Sequence, residues 1–412
     1  MTIPRKLLAT ATAALFALGI GAGATTRVAG QQADPGISAT EILLGGTHPY
    51  SGPASAYGSI GKGALAYFSY INDKGGVNGR KITYKDQDDG YSPPQTVQIT
   101  KQFVESDHVF AIFNSLGTAP NIAIRPYLND QKVPQLFVST GATTWATDAG
   151  KFPWTIGWQP DYQAEAIVYA KYLLKESPNA KIGVIYQNDD YGQDYLAGLT
   201  RGLGSKANLI VKQVSYEVTD PDVTSQIANL KNSGADTLFI FATPKFSVQS
   251  LVTAAKMSWH PTIYLNSVSN SQTIMRAATA AGGADATNGV LTAAYVKDPA
   301  DARWAGDPGM KLYRQIMAKY QPSGDTSDGN FLYGMGAAET MVDVLTKAGK
   351  NLTRAKVMDA AIHLNEQHNI ALVPGITVQT SPSDRFPIRE EQLARYEGGL
   401  WKLFGSIIDA RR

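Results

Sequence analysis

The sequence of 412 residues contains no cysteine. This absence excludes a disulfide framework, a thiol nucleophile and thiolate ligands for a metal ion. Beyond the N-terminal region, no stretch is apolar for the roughly 20 residues that a membrane-spanning helix needs. These absences predict a protein without a membrane domain that relies on packing and hydrogen bonds for its stability.

Neither sign of charge dominates the chain. Lysine and arginine number 37 against 35 acidic residues, which gives a formal charge of +2. The first 30 residues hold Arg5, Lys6 and Arg27 and no acid, so removing them would change the charge to −1. No basic stripe is present, and nucleic acid is therefore not expected as a partner.

The N-terminus has the pattern of an export signal. Arg5 and Lys6 precede an apolar run, Leu7–Ile20, and the small residues Ala22-Gly23-Ala24 follow it. This predicts a secretory signal peptide over residues 1–30, cleaved between 24 and 30. The run is too short for a membrane anchor. Without a cysteine at the cleavage site no lipid anchor can be attached, so we expect a protein free in the periplasm.

After this leader, short apolar strands alternate with helical patterns. In the first half, strands are predicted at Glu41–Thr47, Lys81–Lys85, Val109–Phe113 and Pro134–Ser139, and helices at Gly58–Lys74, Pro94–Ser106 and Ala119–Gln131. The alternation pauses at the aromatic segment 150–162. It then resumes with helices at Gln163–Glu176, Tyr191–Leu203, Asp222–Ser233 and Lys245–Met257, and strands at Lys181–Gln187, Leu209–Tyr216, Thr237–Phe241 and Thr262–Leu265. Such alternation predicts an α/β fold with two doubly wound, parallel-sheet lobes.

A looser third segment follows residue 286. It contains a strand within 289–296, helices at Pro308–Tyr320 and Leu332–Lys347, and a hairpin around Gly398-Gly399. We expect this segment to return to the first lobe and to form part of a multi-strand hinge. The predicted first lobe is therefore 37–156 plus about 287–372, and the second lobe is 157–286 plus about 373–412. Two lobes also suit a mature chain of roughly 380 residues.

Two polar, glycine-containing loops follow strands of the first lobe. "IFNSLGTAPN" places Ser115 and Thr118 at the start of a helix, and "LFVSTGATTW" places Thr140, Gly141 and Thr143 at another. Ligands bind at the carboxyl ends of strands in open α/β sheets, where helix N-termini attract anions. The pattern predicts a carboxylate site, although serine and threonine also cap helices in any protein.

Aromatic residues occur in the same loops. Tyr57, Trp145 and Trp158 belong to the first half of the chain, and Tyr191 stands at the matching strand end of the second lobe. Loop aromatics at strand ends commonly form ligand walls, whereas a buried core position is the alternative.

Signals for catalysis are weak. The segment "GSIGKG" lacks both the first glycine and the hydroxyl residue of a phosphate-binding loop, and neither G-x-S-x-G nor H-E-x-x-H occurs. His363, Glu366 and His368 have a spacing that suits no usual metal site on a helix. We therefore expect no enzyme activity, cofactor or metal. The remaining enzymatic alternative is a secreted hydrolase with Ser115 or Ser139 as nucleophile, for which no nearby histidine is evident.

Several segments together resemble the type I periplasmic binding proteins of the branched-chain amino acid (leucine-binding) family, which serve ABC importers. The matching segments are "SGPASAYG", "INDKGGVNGRKI", "QDDGYSP", "LGTAPN", "VPQLFVSTGAT" and "AKIGVIYQNDDYG". Their order and spacing, over essentially the whole mature chain, carry the resemblance. It implies ligand capture by lobe closure, permease subunits in the inner membrane as partners, and a monomer.

The resemblance also assigns roles to single residues. It implies that Ser115 holds a ligand carboxylate together with the backbone of Gly141 and the hydroxyl of Thr143. It places Tyr57 and Tyr191 on opposite walls of the cleft. Thr118, Thr140 and Trp145 complete the predicted first-lobe site.

The second lobe departs from the family pattern. The acid that binds an α-ammonium is replaced by Ser267, and a tyrosine after the preceding strand is replaced by Thr243. An unpaired buried ammonium would cost several kcal/mol. We therefore expect an organic acid with an apolar or aromatic body. A branched-chain amino acid ligand, or a sensor of amides or amino acids, remains the alternative.

Overall fold

The computed structural model describes residues 34–410. The predicted signal peptide, residues 1–30, lies outside the described residues. In the described part of the chain, no helix combines the length and the apolar character needed to cross a membrane.

The first lobe is built on a five-stranded parallel sheet in the order β2-β1-β3-β4-β5. Its strands are β1 Glu41–His48, β2 Lys81–Asp88, β3 Ala111–Phe113, β4 Gln135–Val138 and β5 Thr155–Gly157. Alternate residues of β3 enter different cores, since Ala111 and Phe113 pack on one face of the sheet and Ile112 on the other. Burial on both faces explains the continuous apolar runs of these strands.

The second lobe contains the larger sheet, in the order β14-β13-β10-β9-β8-β6-β7. Its strands are β6 Ile182–Gln187, β7 Ile210–Tyr216, β8 Thr237–Phe241, β9 Thr262–Leu265, β10 Leu291–Ala294, β13 Glu390–Glu397 and β14 Leu400–Leu403. Strands β6 to β10 are parallel, while β13 is antiparallel to β10 and β14 and also pairs with β15, Ile408–Asp409. A separate antiparallel pair is formed by β11 Asn365–Glu366 and β12 Val378–Gln379.

Helices cover both faces of each sheet. They are α1 Gly58–Asp73, α2 Pro93–Lys101, α3 Thr118–Asp130, α4 Thr144–Thr147, α5 Tyr162–Glu176, α6 Asp190–Leu203, α7 Thr224–Asn232, α8 Pro244–Lys256, α9 Gln272–Gly282, α10 Pro308–Tyr320, α11 Gly329–Ala348 and α12 Arg354–Ala361. The predicted fold class, two doubly wound α/β lobes joined by a multi-strand hinge, is confirmed.

The third segment returns to the first lobe through α10 and α11. Helix α11 lies so close to α1 that a Cβ on Gly334 would stand 2.0 Å from the carbonyl oxygen of Ile60. Met310 of α10 and Phe331 of α11 belong to the same buried cluster as Ile42 of β1. Only glycine permits the approach at position 334, so this contact fixes where the returning helix lies.

The chain passes between the lobes three times within the described residues. The crossings run from β5 to α5, from β10 to α10 and from β12 to β13. The strand β10 pairs with Tyr264 and Arg395 of the second sheet, although the sequence analysis assigns residues from about 287 onward to the first lobe. We therefore propose that the return begins after residue 294. The other lobe boundaries stay predictions.

Candidate functional site

A cleft that is partly open to solvent lies where the carboxyl ends of both sheets face each other. The first lobe contributes Leu116–Thr118 after β3 and Ser139 after β4. The second lobe contributes Thr243 after β8. It also contributes five residues that follow β9: Ser267, Val268, Asn270, Ser271 and Gln272. Both lobes therefore supply walls of one cavity, as the strand-end argument predicts.

Eight aromatic side chains line the cleft. Six are tyrosines: Tyr57, Tyr91, Tyr162, Tyr191, Tyr295 and Tyr333. Trp304 and Trp401 add two indole rings from the third segment and the closing hairpin. Burial raises the pKa of Tyr57 and Tyr162 above the ordinary value for a phenol, so both side chains stay neutral and can donate hydrogen bonds.

The ten residues predicted from the sequence divide into two equal groups. Five line the cleft: Tyr57, Thr118, Tyr191, Thr243 and Ser267. The structure does not place the other five on its wall: Ser115, Thr140, Gly141, Thr143 and Trp145. Contact of any of the ten with a ligand stays a prediction.

Ser115 lies behind the wall. It is 1% exposed, and its hydroxyl oxygen accepts a hydrogen bond from the Thr47 backbone N–H at 3.1 Å. Its carbonyl oxygen accepts from the Asn121 side chain at 2.8 Å. Ser115 thus ties the loop after β3 to the end of β1.

The space beside Gly141, where the sequence analysis predicts a ligand carboxylate, is occupied by the Tyr162 side chain. The Tyr162 hydroxyl accepts from Gln159 at 3.0 Å, the Tyr162 N–H donates to the Gly141 carbonyl oxygen at 2.8 Å, and the Tyr162 ring would lie 2.8 Å from a Cβ on Gly141. Thr143 is turned away, because its N–H donates to Asp194 at 2.7 Å and its hydroxyl donates to the carboxylate that caps α5. The sequence could not show that a tyrosine 21 residues after Gly141 would occupy this position.

The two tryptophans predicted near the cleft mouth lie in the protein interior instead. The Trp145 ring packs against the Arg125 guanidinium, 5.0 Å from the ring centre. Trp158 donates to the Thr340 hydroxyl at 2.9 Å and meets the Tyr333 ring edge-on. Trp158 therefore supports a cleft tyrosine from behind.

Thr118 occupies the first-lobe corner of the cleft at the start of α3. The preceding Gly117 has φ of 99°, and a Cβ there would lie 2.6 Å from the Tyr91 ring. The Thr118 hydroxyl is 2.6 Å from that of Thr140, and the backbone N–H of Thr118 has no acceptor within the helix. A helix N-terminus with an adjacent hydroxyl is suited to a carboxylate.

A chain of hydroxyl groups continues from this corner along the hinge. Ser139 donates to Tyr333 at 3.2 Å, and Tyr333 donates to the side-chain oxygen of Gln159 at 3.0 Å. Gln159 in turn donates to Tyr162. This chain fixes the orientation of two wall tyrosines.

The second-lobe wall rests on a buried acid that the sequence analysis missed. Glu165 of α5 is fully buried and accepts from Ser267 through both the N–H, at 2.8 Å, and the hydroxyl, at 2.6 Å. Tyr169 and Tyr195 donate to it at 2.7 and 2.8 Å. The acid beside Ser267 therefore comes from α5 and not from the segment that follows β9. Its position on the apolar face of α5, between Tyr162 and Tyr169, was the available signal.

Glu165 stands behind Ser267 and is not part of the cleft wall. Burial raises its pKa, and the hydrogen bonds from its four donors oppose that increase. Thr243 is also hydrogen-bonded within the protein. Its N–H donates to the Tyr216 hydroxyl at 3.0 Å, and its own hydroxyl lies 3.2 Å from the Tyr216 hydroxyl and from the Gln187 side-chain oxygen.

The charged side chains on the cleft wall already have partners. Lys297 pairs with Asp307 at 2.8 Å, and Asp301 pairs with Arg303 at 2.5 Å. Asp298 accepts from the Gln272 side chain at 2.6 Å. Among residues 34–410, no group of histidine and acidic side chains is arranged to hold a metal ion.

Contacts across the cleft show that the lobes are closed on each other. Ser269 and Gln187 of the second lobe oppose the rise that burial causes in the pKa of Tyr57 and Tyr91 of the first lobe, so these tyrosines reach toward the opposite wall. At the rim, Arg276 of α9 donates to Asp325 at 2.5 Å and to Ser327 at 2.7 Å, both in the loop before α11. These contacts would have to break for the lobes to open.

A family model described as periplasmic binding protein matches residues 41–399. The "Leu/Ile/Val-binding protein homolog 1" of Brucella abortus is 32% identical over 212 residues, which are 50% of this chain and 54% of that protein. The chain thus matches about half the length of this relative. A Thermus thermophilus branched-chain amino acid ABC transporter protein with bound valine superposes with a TM-score of 0.79 at 16% identity, over 90% of this chain and 97% of that one.

A solute-binding protein of an ABC transporter from R. palustris, in complex with benzoate, superposes with a TM-score of 0.74 at 16% identity, over 89% of this chain and 96% of the other. At such identities the two structures show the fold alone. Because the family model spans most of the described residues and the two lobes have the matching architecture, the chain belongs to the type I periplasmic binding proteins of the branched-chain amino acid family.

Proposed function

We propose that this chain is the solute-binding subunit of an ABC importer and captures a small carboxylate with an aromatic or apolar body. Its family is extracytoplasmic, binds solutes and is non-catalytic. The observation that carries the proposal is the cleft wall, which combines eight aromatic rings with Lys297 and Asp301, both already in ion pairs. We further propose a periplasmic monomer, without a lipid anchor, that presents its closed form to permease subunits.

Thr118 is the proposed anchor for the ligand carboxylate. Its N–H and hydroxyl stand together at the N-terminus of α3, where the helix dipole favours a negative charge. Lys297, the cation on the cleft wall, is neutralised by Asp307 and does not compete for the anion.

The aromatic wall favours an apolar ligand body. Each offset contact between a wall ring and an aromatic ring of the ligand contributes about 0.5–1.5 kcal/mol to binding, beyond the effect of the buried area. Tyr57 and Tyr191 approach from opposite lobes, so a flat ligand would contact both when the lobes close.

An α-ammonium group meets no free carboxylate at the position where the family pattern would bind it. Ser267 and Thr243 carry no charge there, and the Glu165 carboxylate behind Ser267 already accepts from four donors of the protein. Structural neighbours with valine and with benzoate share this fold, so the likeness alone does not choose between these ligand classes. The branched-chain amino acid remains the second candidate on the strength of the Brucella relative.

Hydrolysis is not supported by the serine geometry. The Ser115 hydroxyl is buried and accepts from Thr47, and the Ser139 hydroxyl donates to Tyr333. Among the described contacts neither serine meets a histidine, which a serine nucleophile would need as its base.

The experiment compares Thr118→Val with Ser115→Ala in calorimetric titrations with 3-phenylpropanoate. Thr118→Val removes a hydroxyl that would bond the carboxylate, so affinity should fall about tenfold, or ~1.4 kcal/mol. Ser115→Ala should leave affinity within about threefold but lower stability by about 1–3 kcal/mol, because the buried Thr47 N–H loses its acceptor. The reverse pattern would restore Ser115 as the carboxylate anchor and overturn the role of Thr118.

A further inference from the structure

Ser271 of the second lobe has an unused hydroxyl in the cleft wall. It is the N-cap of the 11-residue helix α9, yet its side chain does not cap the helix. The residue is 9% exposed, and its hydroxyl has no partner among the residues that the structure describes. An N-cap serine ordinarily accepts from the first turn, so the N–H groups of that turn are also left without this acceptor.

The neighbours of Ser271 are held firmly by other contacts. Trp401 donates to the carbonyl oxygen of Asn270 at 2.6 Å, and Tyr396 donates to the side-chain oxygen of Gln272 at 3.2 Å. Gln272 donates to Asp298 at 2.6 Å. The segment Asn270–Gln272 together with Asp298, here called the distal rim, is therefore pre-organised around a free hydroxyl.

Asp298 adds an acceptor to this rim. Its carboxylate also accepts from the Ala300 N–H at 2.9 Å, and no ion pair joins it to a cation among residues 34–410. Burial raises its pKa, and the neighbouring Asp301 adds to the increase. Carboxylate oxygens have about four lone-pair positions, so one can still accept from a ligand.

The two parts of the distal rim favour different hydrogen-bonding groups on a ligand. Ser271 and the N-terminus of α9 suit an acceptor, and Asp298 suits a donor. A second carboxylate would be repelled by the Asp298 carboxylate, and an ammonium would be repelled by the positive end of the α9 dipole. A neutral hydroxyl satisfies both because it donates and accepts.

We propose that the distal rim is a second subsite that recognises a hydroxyl group on the ligand, remote from its carboxylate. This inference rests on the proposed function and narrows the ligand class to hydroxylated aromatic acids. Ser271 acts as the specificity-determining residue, and Asp298 accepts the hydroxyl hydrogen.

The test titrates the protein with 3-phenylpropanoate and with its 3-hydroxyphenyl and 4-hydroxyphenyl analogues. At least one hydroxylated analogue should bind the unaltered protein about tenfold more tightly than the parent acid. In Ser271→Ala that advantage should fall below about twofold. Thr273→Ala, an exposed position of the same helix, is the matched control and should keep the full advantage.

The outcomes separate this proposal from the one on which it rests. Equal affinity for all three acids, or an undiminished advantage in Ser271→Ala, would overturn the distal subsite while leaving carboxylate capture in place. If none of the three acids binds the unaltered protein, the proposed function and the subsite both fail.

Discussion

Replacing Glu165 with alanine is expected to lower the free energy of unfolding by about 3–5 kcal/mol. The substitution would leave the Ser267 N–H and the hydroxyls of Ser267 and Tyr195 without their buried acceptor. Each buried donor left unpaired costs about 1–3 kcal/mol, and the sum is reduced by local rearrangement. Denaturant titration at pH 7 measures the change directly.

Glu176→Ala is the matched control, because Glu176 ends the same helix in an exposed position. Its effect should stay within about 0.5 kcal/mol. A Glu165→Ala protein as stable as this control would show that the four donors do not depend on the carboxylate, and that Glu165 does not support the second-lobe wall.

Replacing Glu391 with glutamine is expected to stabilise the protein at neutral and alkaline pH. Glu391 of β13 is fully buried, and neither carboxylate oxygen has a hydrogen-bond partner among residues 34–410. Burial raises its pKa well above the usual range, and the charges of Glu165 and Asp161 raise it further. Tyr169 and Tyr295 are the other titratable groups that face it. Since Glu165 has four donors and Glu391 has none, we infer that Glu391 holds the proton.

The pH dependence follows from the direction of this shift. A carboxyl group whose pKa is raised on folding binds its proton more tightly in the folded state. The contribution of Glu391 to the free energy of unfolding is therefore greatest below its pKa in the unfolded chain, about 4.3. This contribution decreases by about 1.4 kcal/mol per pH unit until the pH reaches its pKa in the folded protein. Glutamine cannot ionise, so the variant escapes this loss.

Denaturant titrations of Glu391→Gln from pH 4 to pH 8 should show a stability advantage that is near zero at pH 4 and grows as the pH rises. Glu390→Gln, at the neighbouring and less buried position, is the control and should show no such growth. A constant difference between Glu391→Gln and the unaltered protein across this range would mean that Glu391 is not protonated in the fold.

Much of the fold could be predicted because local patterns determine it. Apolar strands that are buried on both faces, such as Thr237–Phe241, match their predicted bounds, and the hairpin around Gly398-Gly399 forms where expected. The sheet to which β10 belongs was harder to predict from the sequence. A short strand such as "LTAA" carries no information about which of two sheets it will join, and its pairing with Arg395 spans about 100 residues.

The site was predictable to the extent that it depends on strand ends. Thr118 and Thr243 come shortly after the ends of β3 and β8, and both reach the cleft. Which hydroxyl of a loop faces the ligand depends on contacts from elsewhere, as Ser115 shows by bonding to Thr47. Glu165 could not be connected to Ser267 because 102 residues separate them and only the packing of α5 on the second sheet brings them together.

The most direct test of the central claim is a calorimetric comparison of benzoate, 3-phenylpropanoate and leucine on one protein sample. We expect at least one aromatic acid to bind and leucine to bind about 100-fold more weakly or not at all, because burying an ammonium without a counter-charge costs several kcal/mol. Leucine binding at micromolar concentrations or below while both aromatic acids fail would contradict this account. It would mean that the cleft offers an ammonium partner after all, with Asp298 on its wall as the first residue to replace.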